Sequence, residues 1–433
     1  MFCWLLLKAS FIKRSGLSSN AVLTLFLIKV LAGIIIGWIS IHYYHGSNDY
    51  WDINREGWQE YQLMWTNPST YFTNIFHTDY ANGYGGFFDS FQSYWNDLKN
   101  NLIIKMISLF DIFSRGNYYI NSLFFNYIIF FGHVALYRLF ISIYKGQKNA
   151  VVICCFLLPS LLYFSSGIHK DGMVFLMLAL LVFNIYTLLH HSSSVIKRVL
   201  MIIFSVLVLF LMRNFIVMLL LPAIIAWLIV AKTSWRPMPV FLGVYFIAGL
   251  LLFNINRFVP AVHPLEIIVQ KQADFLRLPP SATAISLDTL HPTFIGFVHN
   301  MPQAFNHLLL RPYLTELPSA ILFPMNLELF IYLLLFILFI FFHKKRTGQA
   351  PEPFIYFGVF FTLTAFLFIG YIVPNLGSLV RYRSLYLPFV ITPLVCRIKC
   401  AKIIYIILFY NFNKARIFSQ FIRHTRGVIT KGK

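Results

Sequence analysis

KRVLMIIFSVLVLFLMRNFIVMLLLPAIIAWLIVAK, residues 197–232, contains two apolar runs, 199–213 and 215–231, separated by Arg213-Asn214. The second run is close to the length that crosses a hydrocarbon core of roughly 30 Å, and the first is short of it, which sets Arg213 at or just below the headgroup level. Backbone in lipid must satisfy its hydrogen bonds internally, so each run reads as a helix. Two polar residues between them make a tight hairpin. Lys197 and Arg198 precede it and Lys232 and Arg236 follow it, so both basic ends lie on one side of the membrane. Basic residues beside span ends stay on the cytoplasmic side.

The same pattern extends through the 433 residues. The chain is 58% hydrophobic and 12% charged, with mean hydropathy +0.70. A soluble chain carries about a quarter charged residues, so that class is excluded. The apolar runs are continuous rather than alternating, which excludes a transmembrane barrel. The expected fold is an all-α integral membrane protein with about ten transmembrane helices. They cover 21–44, 119–140, 149–165, 172–190, 199–213, 215–231, 238–254, 320–342, 354–373 and 384–397. Residues 1–433 form one polytopic membrane domain. It carries two long extracytoplasmic loops, 45–118 and 255–319, and a basic cytoplasmic tail, 398–433. The first run is too long for a signal-peptide core. Lys29 within it must face protein or reach the interface. Ile403–Tyr410 is too short for a further span and reads as an interfacial segment.

The net charge of +20 would point to nucleic acid in a soluble protein. Here it gathers in Lys8, Lys13, Arg14, Lys145, Lys148, Lys197, Arg198, Lys232, Arg236, Lys344, Lys345, Arg346 and the tail. That distribution sets both termini in the cytoplasm, and a nucleic-acid partner is not expected. The cysteines show neither an exported disulfide framework nor metal-ligand spacing with histidine. No metal ligands are assigned from the sequence, and it specifies no cofactor.

The opposite side receives the long loops and short turns of mixed charge. The first loop is too aromatic for disorder and reads as amphipathic or interfacial helices. In the second, repeated prolines interrupt structure, although Pro264–Phe275 can form one short helix. Candidate site residues lie on this side. Lys170 and Asp171 end a tight turn after Ser165-Ser166-Gly167, and buried charges there need partners or water. Arg213 is either a snorkelling cap or a cation aimed into a polar cavity. Arg311 and Glu316 precede the eighth span. Glu328, within that span, must be protonated, paired or hydrated, and Arg213, Arg311 and Arg381 are candidate partners. Arg381 and Arg383 lie on different faces if their segment is helical. One can then hold phosphate, which the guanidinium fork suits, while the other holds a protein carboxylate. Asp49, just beyond the first span, can act as a base or orient a sugar hydroxyl. For each residue the plainer alternative is an ordinary polar turn or a structural ion pair.

Arginines, a lysine and carboxylates at one membrane boundary fit a lipid-diphosphate sugar. The acyl tail needs an apolar groove, the diphosphate needs cations, and the acceptor hydroxyl needs a base. The same arginines stabilise charge on the leaving group. Trp51, Trp58, Trp65, Tyr84 and Trp95 can stack on sugar rings or anchor the loop in the interface. No Walker, dinucleotide or HExxH motif is present. No internal repeat of the transporter kind is evident.

The strings LPSLLYFSSGIHKDG (158–172), LLRPYLTE (309–316) and NLGSLVRYRSLYLPF (375–389) resemble those of multi-spanning proteins encoded in bacterial surface-polysaccharide operons, the O-antigen and exopolysaccharide repeat-unit polymerase-like families. The resemblance implies a bacterial inner-membrane location and a polyprenyl-phosphate or polyprenyl-diphosphate glycan as substrate. Partners would be a flippase and a chain-length regulator. In those families arginines on this side engage the lipid-linked substrate, which implies that role for Arg213, Arg311, Arg381 and Arg383; from their placement, Lys170 and Glu316 are read with them as substrate-binding and Asp49, Asp171 and Glu328 as catalytic candidates. A related class, glycosyltransferases that use polyprenyl-phosphate sugars, carries an acidic residue shortly after the first span, where Asp49 stands. Single-sugar transfer and a non-enzymatic transporter or scaffold remain alternatives.

Overall fold

The computed structural model describes residues 1–46, 48–76, 94–190, 194–233, 235–279, 281–313, 315–316, 323–343 and 352–399. These residues are organised almost wholly as helices. Short α1 (Phe2–Lys8) and α2 (Ser10–Lys13) lead into α3 (Ser19–His42). The first long loop holds α4 (Asp49–Thr66), α5 (Pro68–Thr73) and α6 (Tyr94–Ser114). The chain continues through α7 (Tyr118–Ile143), α8 (Lys148–Phe156), α9 (Pro159–Phe164), α10 (Lys170–His190), α11 (Val195–Lys232) and α12 (Pro237–Phe258). The second loop holds α13 (Pro264–Arg277) and α14 (Phe294–Leu309). Last come α15 (Phe323–Phe342), α16 (Pro353–Ile372), α17 (Leu376–Ser384) and α18 (Leu387–Arg397). Seven described helices, α3, α7, α10, α11, α12, α15 and α16, are long and apolar enough to cross a membrane. Lys344, Lys345, Arg346, Tyr84, Ile403–Tyr410 and the tail beyond Lys399 lie outside the described residues.

Side-chain burial orders the bundle. Helices α7, α10 and α16 are buried on most of their surface, while α11, α12 and α15 expose Leu207, Phe246, Phe336 and similar side chains. Exposed apolar stripes of this size suit lipid rather than water.

Helix α11 is two antiparallel halves. Its 38 residues would run about 57 Å if straight, far beyond one membrane thickness. Arg213 leaves helical geometry at φ −153° and ψ 83°. Arg213 meets Asp171 at the start of α10, whereas Val195 follows closely on the end of that helix. In the second half, Phe215 stacks on Phe368 near the end of α16. Trp227 then packs on Phe354 and Phe357 near the start of α16. Phe354 in turn touches Tyr186, close to the end of α10. The chain thus returns to the level it left, as the hairpin reading requires.

The expected run 149–165 is broken instead into α8 and α9. Pro159 has no N–H for the carbonyl four residues earlier, that of Cys155. His133 on α7 supplies the missing partner, with Nδ1 at 2.6 Å from the Cys155 oxygen. The last expected run, 384–397, is likewise divided, because Ser384 ends α17 and Pro388 lies in the first turn of α18.

The first loop docks tightly. Asp111 accepts from Ser114 Oγ at 2.6 Å, Gly116 N at 3.0 Å and Asn121 Nδ2 at 2.7 Å. Trp51 stacks on Tyr118 with centroids 4.5 Å apart and donates to the Gly37 carbonyl at 3.1 Å. A side chain at Gly37 would collide with Tyr118, so the absence of one lets α3 and α7 approach. These contacts fix the first turn of α4, and with it Asp49. Helix α13 extends two residues beyond the expected Pro264–Phe275.

Candidate functional site

Four segments converge at the end of the bundle where α10 begins: the start of α4, the 165–169 turn, the α11 break and α17. His169 is buried between two carboxylates. Its Nε2 lies 3.2 Å from Asp49 Oδ2 and its Nδ1 2.9 Å from Asp171 Oδ2. Arg213 donates to Asp171 Oδ1. Arg381 spans both acids, with Nε 3.5 Å from Asp171 Oδ2 and Nη1 3.6 Å from Asp49 Oδ2. Asp171 is fully buried, whereas Asp49 is 63% exposed. The cluster therefore runs from a sealed carboxylate through an imidazole to a carboxylate open at the surface.

Local chemistry places each member. Asp171 occupies the first turn of α10, where the helix N-terminus favours a negative charge. Asn375 caps α17 by accepting from Ser378 N at 2.9 Å. The chain around it pairs with residues 283–285 through Ile285 N to Pro374 O and Leu376 N to Thr283 O, each 2.9 Å. This short bridge sets the direction of α17 and hence of Arg381. Gly167 lies against Tyr50, and a Cβ there would come within 2.4 Å of the ring. Tyr50 also meets the His169 ring edge-on at 5.8 Å.

Electrostatics follow from this geometry. The His169 hydrogen bond, aided by the charges of Arg381 and Lys170, holds the Asp49 carboxyl well below the usual carboxylate range. Tyr382 lies beneath two guanidiniums, Arg213 at 4.1 Å and Arg381 at 5.2 Å from its ring centre. Burial alone would raise its phenol, but the two arginines outweigh burial and lower it. Burial raises Tyr50 well above its ordinary value. Counting Arg213, Arg381 and Lys170 against Asp49 and Asp171 leaves one positive charge before His169. That excess favours an anionic ligand.

The remaining candidates lie in two other places. Arg383 donates to the carbonyls of Leu308 and Arg311, each at 2.9 Å, and so ties down the end of α14. Arg311 pairs with Glu316 at 3.2 Å and meets His307 Nε2 at 3.2 Å. Glu328 takes none of the three arginines as its hydrogen-bond partner. It accepts from Ser160 N at 3.0 and 3.2 Å, from Ser160 Oγ at 3.0 Å, and from Tyr332. The N–H left free at the start of α9 supplies the donor that was expected from a guanidinium. Trp51 is committed to Tyr118, while Trp58 stacks on Tyr61 with centroids 5.1 Å apart.

The sequence by itself assigns no role to His169 or Tyr382. Both adjoin residues that were singled out, and a histidine directly before a Lys-Asp pair was the available signal. Among the described residues, no three His, Cys, Asp or Glu side chains are grouped to hold a metal ion. No family model, curated protein or solved structure matches the chain.

Proposed function

We propose that the protein is a membrane glycosyl-transfer enzyme of cell-surface polysaccharide assembly, polymerising polyprenyl-diphosphate-linked repeat units at the extracytoplasmic face. The observation that carries this reading is the exposed Asp49 at the end of the His169–Asp171 chain, flanked by Arg213 and Arg381. In the proposed step an acceptor hydroxyl oxygen bonds to the anomeric carbon of the donor sugar. The bond from that carbon to the diphosphate oxygen breaks, and polyprenyl diphosphate leaves with the electron pair. His169 accepts the Asp171 backbone N–H at Nδ1 and directs Nε2 at Asp49, so it fixes the Asp49 carboxylate, beside which the hydroxyl proton is released to solvent water. Asp49, with its lowered proton affinity, orients the acceptor instead of accepting its proton. Lys170, Arg213 and Arg381 neutralise the diphosphate.

The topology proposed with it is ten spans in a bacterial inner membrane, both termini cytoplasmic. The basic residues support that orientation. Lys148 donates to the Gly16 carbonyl at 3.1 Å, and Arg138 stacks between Phe11 and Phe183. The N-terminal segment thus shares the bundle end opposite the site.

The test is a gel profile of surface and lipid-linked glycans from cells carrying the intact chain, a deletion, Arg381→Ala or His169→Gln, all at equal abundance. Loss of long chains with single repeats retained supports the polymerase. A shortened repeat identifies single-sugar transfer, which the position of Asp49 just after α3 also fits. An unchanged profile rejects glycosyl transfer for this glycan and favours a transporter or scaffold.

A further inference from the structure

Lys29 is buried in the middle of α3, and its partners are uncharged. An ammonium offers three N–H bonds. Three acceptors surround it: the Ser165 carbonyl at 3.1 Å, Ser165 Oγ at 2.9 Å and Ser166 Oγ at 3.1 Å. All three belong to the turn that leads directly into His169 and Asp171.

The bond directions in the surrounding network are determined. The Cys155 carbonyl can only accept, so His133 Nδ1 carries the proton directed at it. In the neutral ring, Nε2 is then the acceptor. Ser165 Oγ, 3.2 Å away, donates to that nitrogen and keeps a lone pair for Lys29. Ser166 Oγ donates to the Leu162 carbonyl at 2.6 Å and likewise accepts from Lys29. Asn126 Nδ2 donates to the Ser166 carbonyl at 2.9 Å. Both carbonyls of the Ser165-Ser166 step are thus held by side chains of α3 and α7. The helices approach closely enough because Gly33, one turn beyond Lys29, has no side chain. A Cβ there would fall 2.5 Å from Asn126 Nδ2 and Ser122 Oγ and 2.9 Å from the Ser166 carbonyl.

We infer that Lys29 is a positioning residue: it holds the 165–169 turn from within the membrane layer so that His169 bridges Asp49 and Asp171. A neutral residue would fill the space, but only a cation supplies three charge-assisted donors to one turn. This assignment rests on the glycosyl-transfer reading only for its effect on rate; the geometric part stands without it.

The test is diethyl pyrocarbonate labelling of the full chain in nanodiscs, read residue by residue by mass spectrometry. His169 and His307 are both buried, so both start protected. Lys29→Met should raise His169 labelling at least about tenfold, the scale set by losing charge-assisted hydrogen bonds at a buried site. His307 labelling should not move, and Lys29→Arg should restore protection at His169. Ser165→Ala, which removes one acceptor and keeps the lysine, should give an intermediate rise and covers the case in which Lys29→Met does not fold. Unchanged His169 labelling in both variants overturns the inference, as does a parallel rise at His307. If His169 behaves as expected but intact protein transfers no sugar, the glycosyl-transfer reading fails and the positioning role stands.

Discussion

Arg213, the residue at which α11 turns back, donates to Asp171, the second residue of α10. One interaction thus closes the hairpin and supplies a cation to the site. Both side chains are almost fully buried. Removing one member of a buried pair costs about 3–5 kcal/mol, chiefly by leaving the other uncompensated. Asp171 keeps His169 and Arg381, so Arg213→Met should fall at the low end of that range. Thermal unfolding in detergent, run with Asp171→Asn and the double variant, measures the coupling. A double variant no better than the sum of the two singles would show that the pair does not close the hairpin.

Gly167→Ala tests how the loop seats on the turn. The added methyl meets Tyr50 at 2.4 Å, and overpacking of this kind costs about 1–3 kcal/mol. Because Tyr50 borders His169, the proposed polymerase activity would give shorter glycan chains at unchanged abundance. Adding Tyr50→Leu should relieve the crowding and recover part of the melting temperature. A single variant that melts like the parent would contradict the packing.

Polar residues that interrupt apolar runs were the legible part of this fold. Arg213-Asn214 marked a hairpin, and Lys170-Asp171 marked the start of α10. Their partners were not legible, because Asp49, Asp171 and Arg381 come from segments far apart in the chain and only tertiary packing brings them together. Lys29 stood out as a charge in a span, but serines give no sign that they will receive it. Glu328 was visible for the same reason, yet its partner is a backbone N–H created by the break before Pro159. Proline does not break every helix of the second loop, because α14 runs through Pro302. The expected eighth span begins within residues outside the described set.

His307 gives stability a pH dependence. Burial, followed by the Arg311 charge, lowers its imidazole to about 4. An unfolded histidine titrates near 6.5. Between those values the unfolded chain binds more protons, so stability falls as pH drops from about 6.5 toward 4 and is retained above that window. Melting temperature measured across it should decline, and His307→Gln should flatten the decline. An equally steep curve in the variant would assign the effect to another group.

Glu328 separates a structural carboxylate from a catalytic one. It gathers the Ser160 N–H, the Ser160 hydroxyl and the Tyr332 hydroxyl, and so clamps the start of α9 to α15. Phe164, Met325 and Val380 pack together beside it, linking that clamp to α17 and Arg381. Glu328→Leu would leave a buried N–H and hydroxyls unsatisfied, at about 1–3 kcal/mol for each lost group. Glu328→Gln keeps a carbonyl oxygen able to accept from Ser160, so its loss should be far smaller. If the role is structural, the proposed glycan polymerisation persists nearly unchanged in the Gln variant, and the Leu variant fails in proportion to its lost stability. If Glu328 itself moves a proton, the Gln variant loses turnover while melting like the parent. Melting temperature and chain-length profile measured together on the two variants distinguish these cases, and the hydrogen bonds favour the structural one.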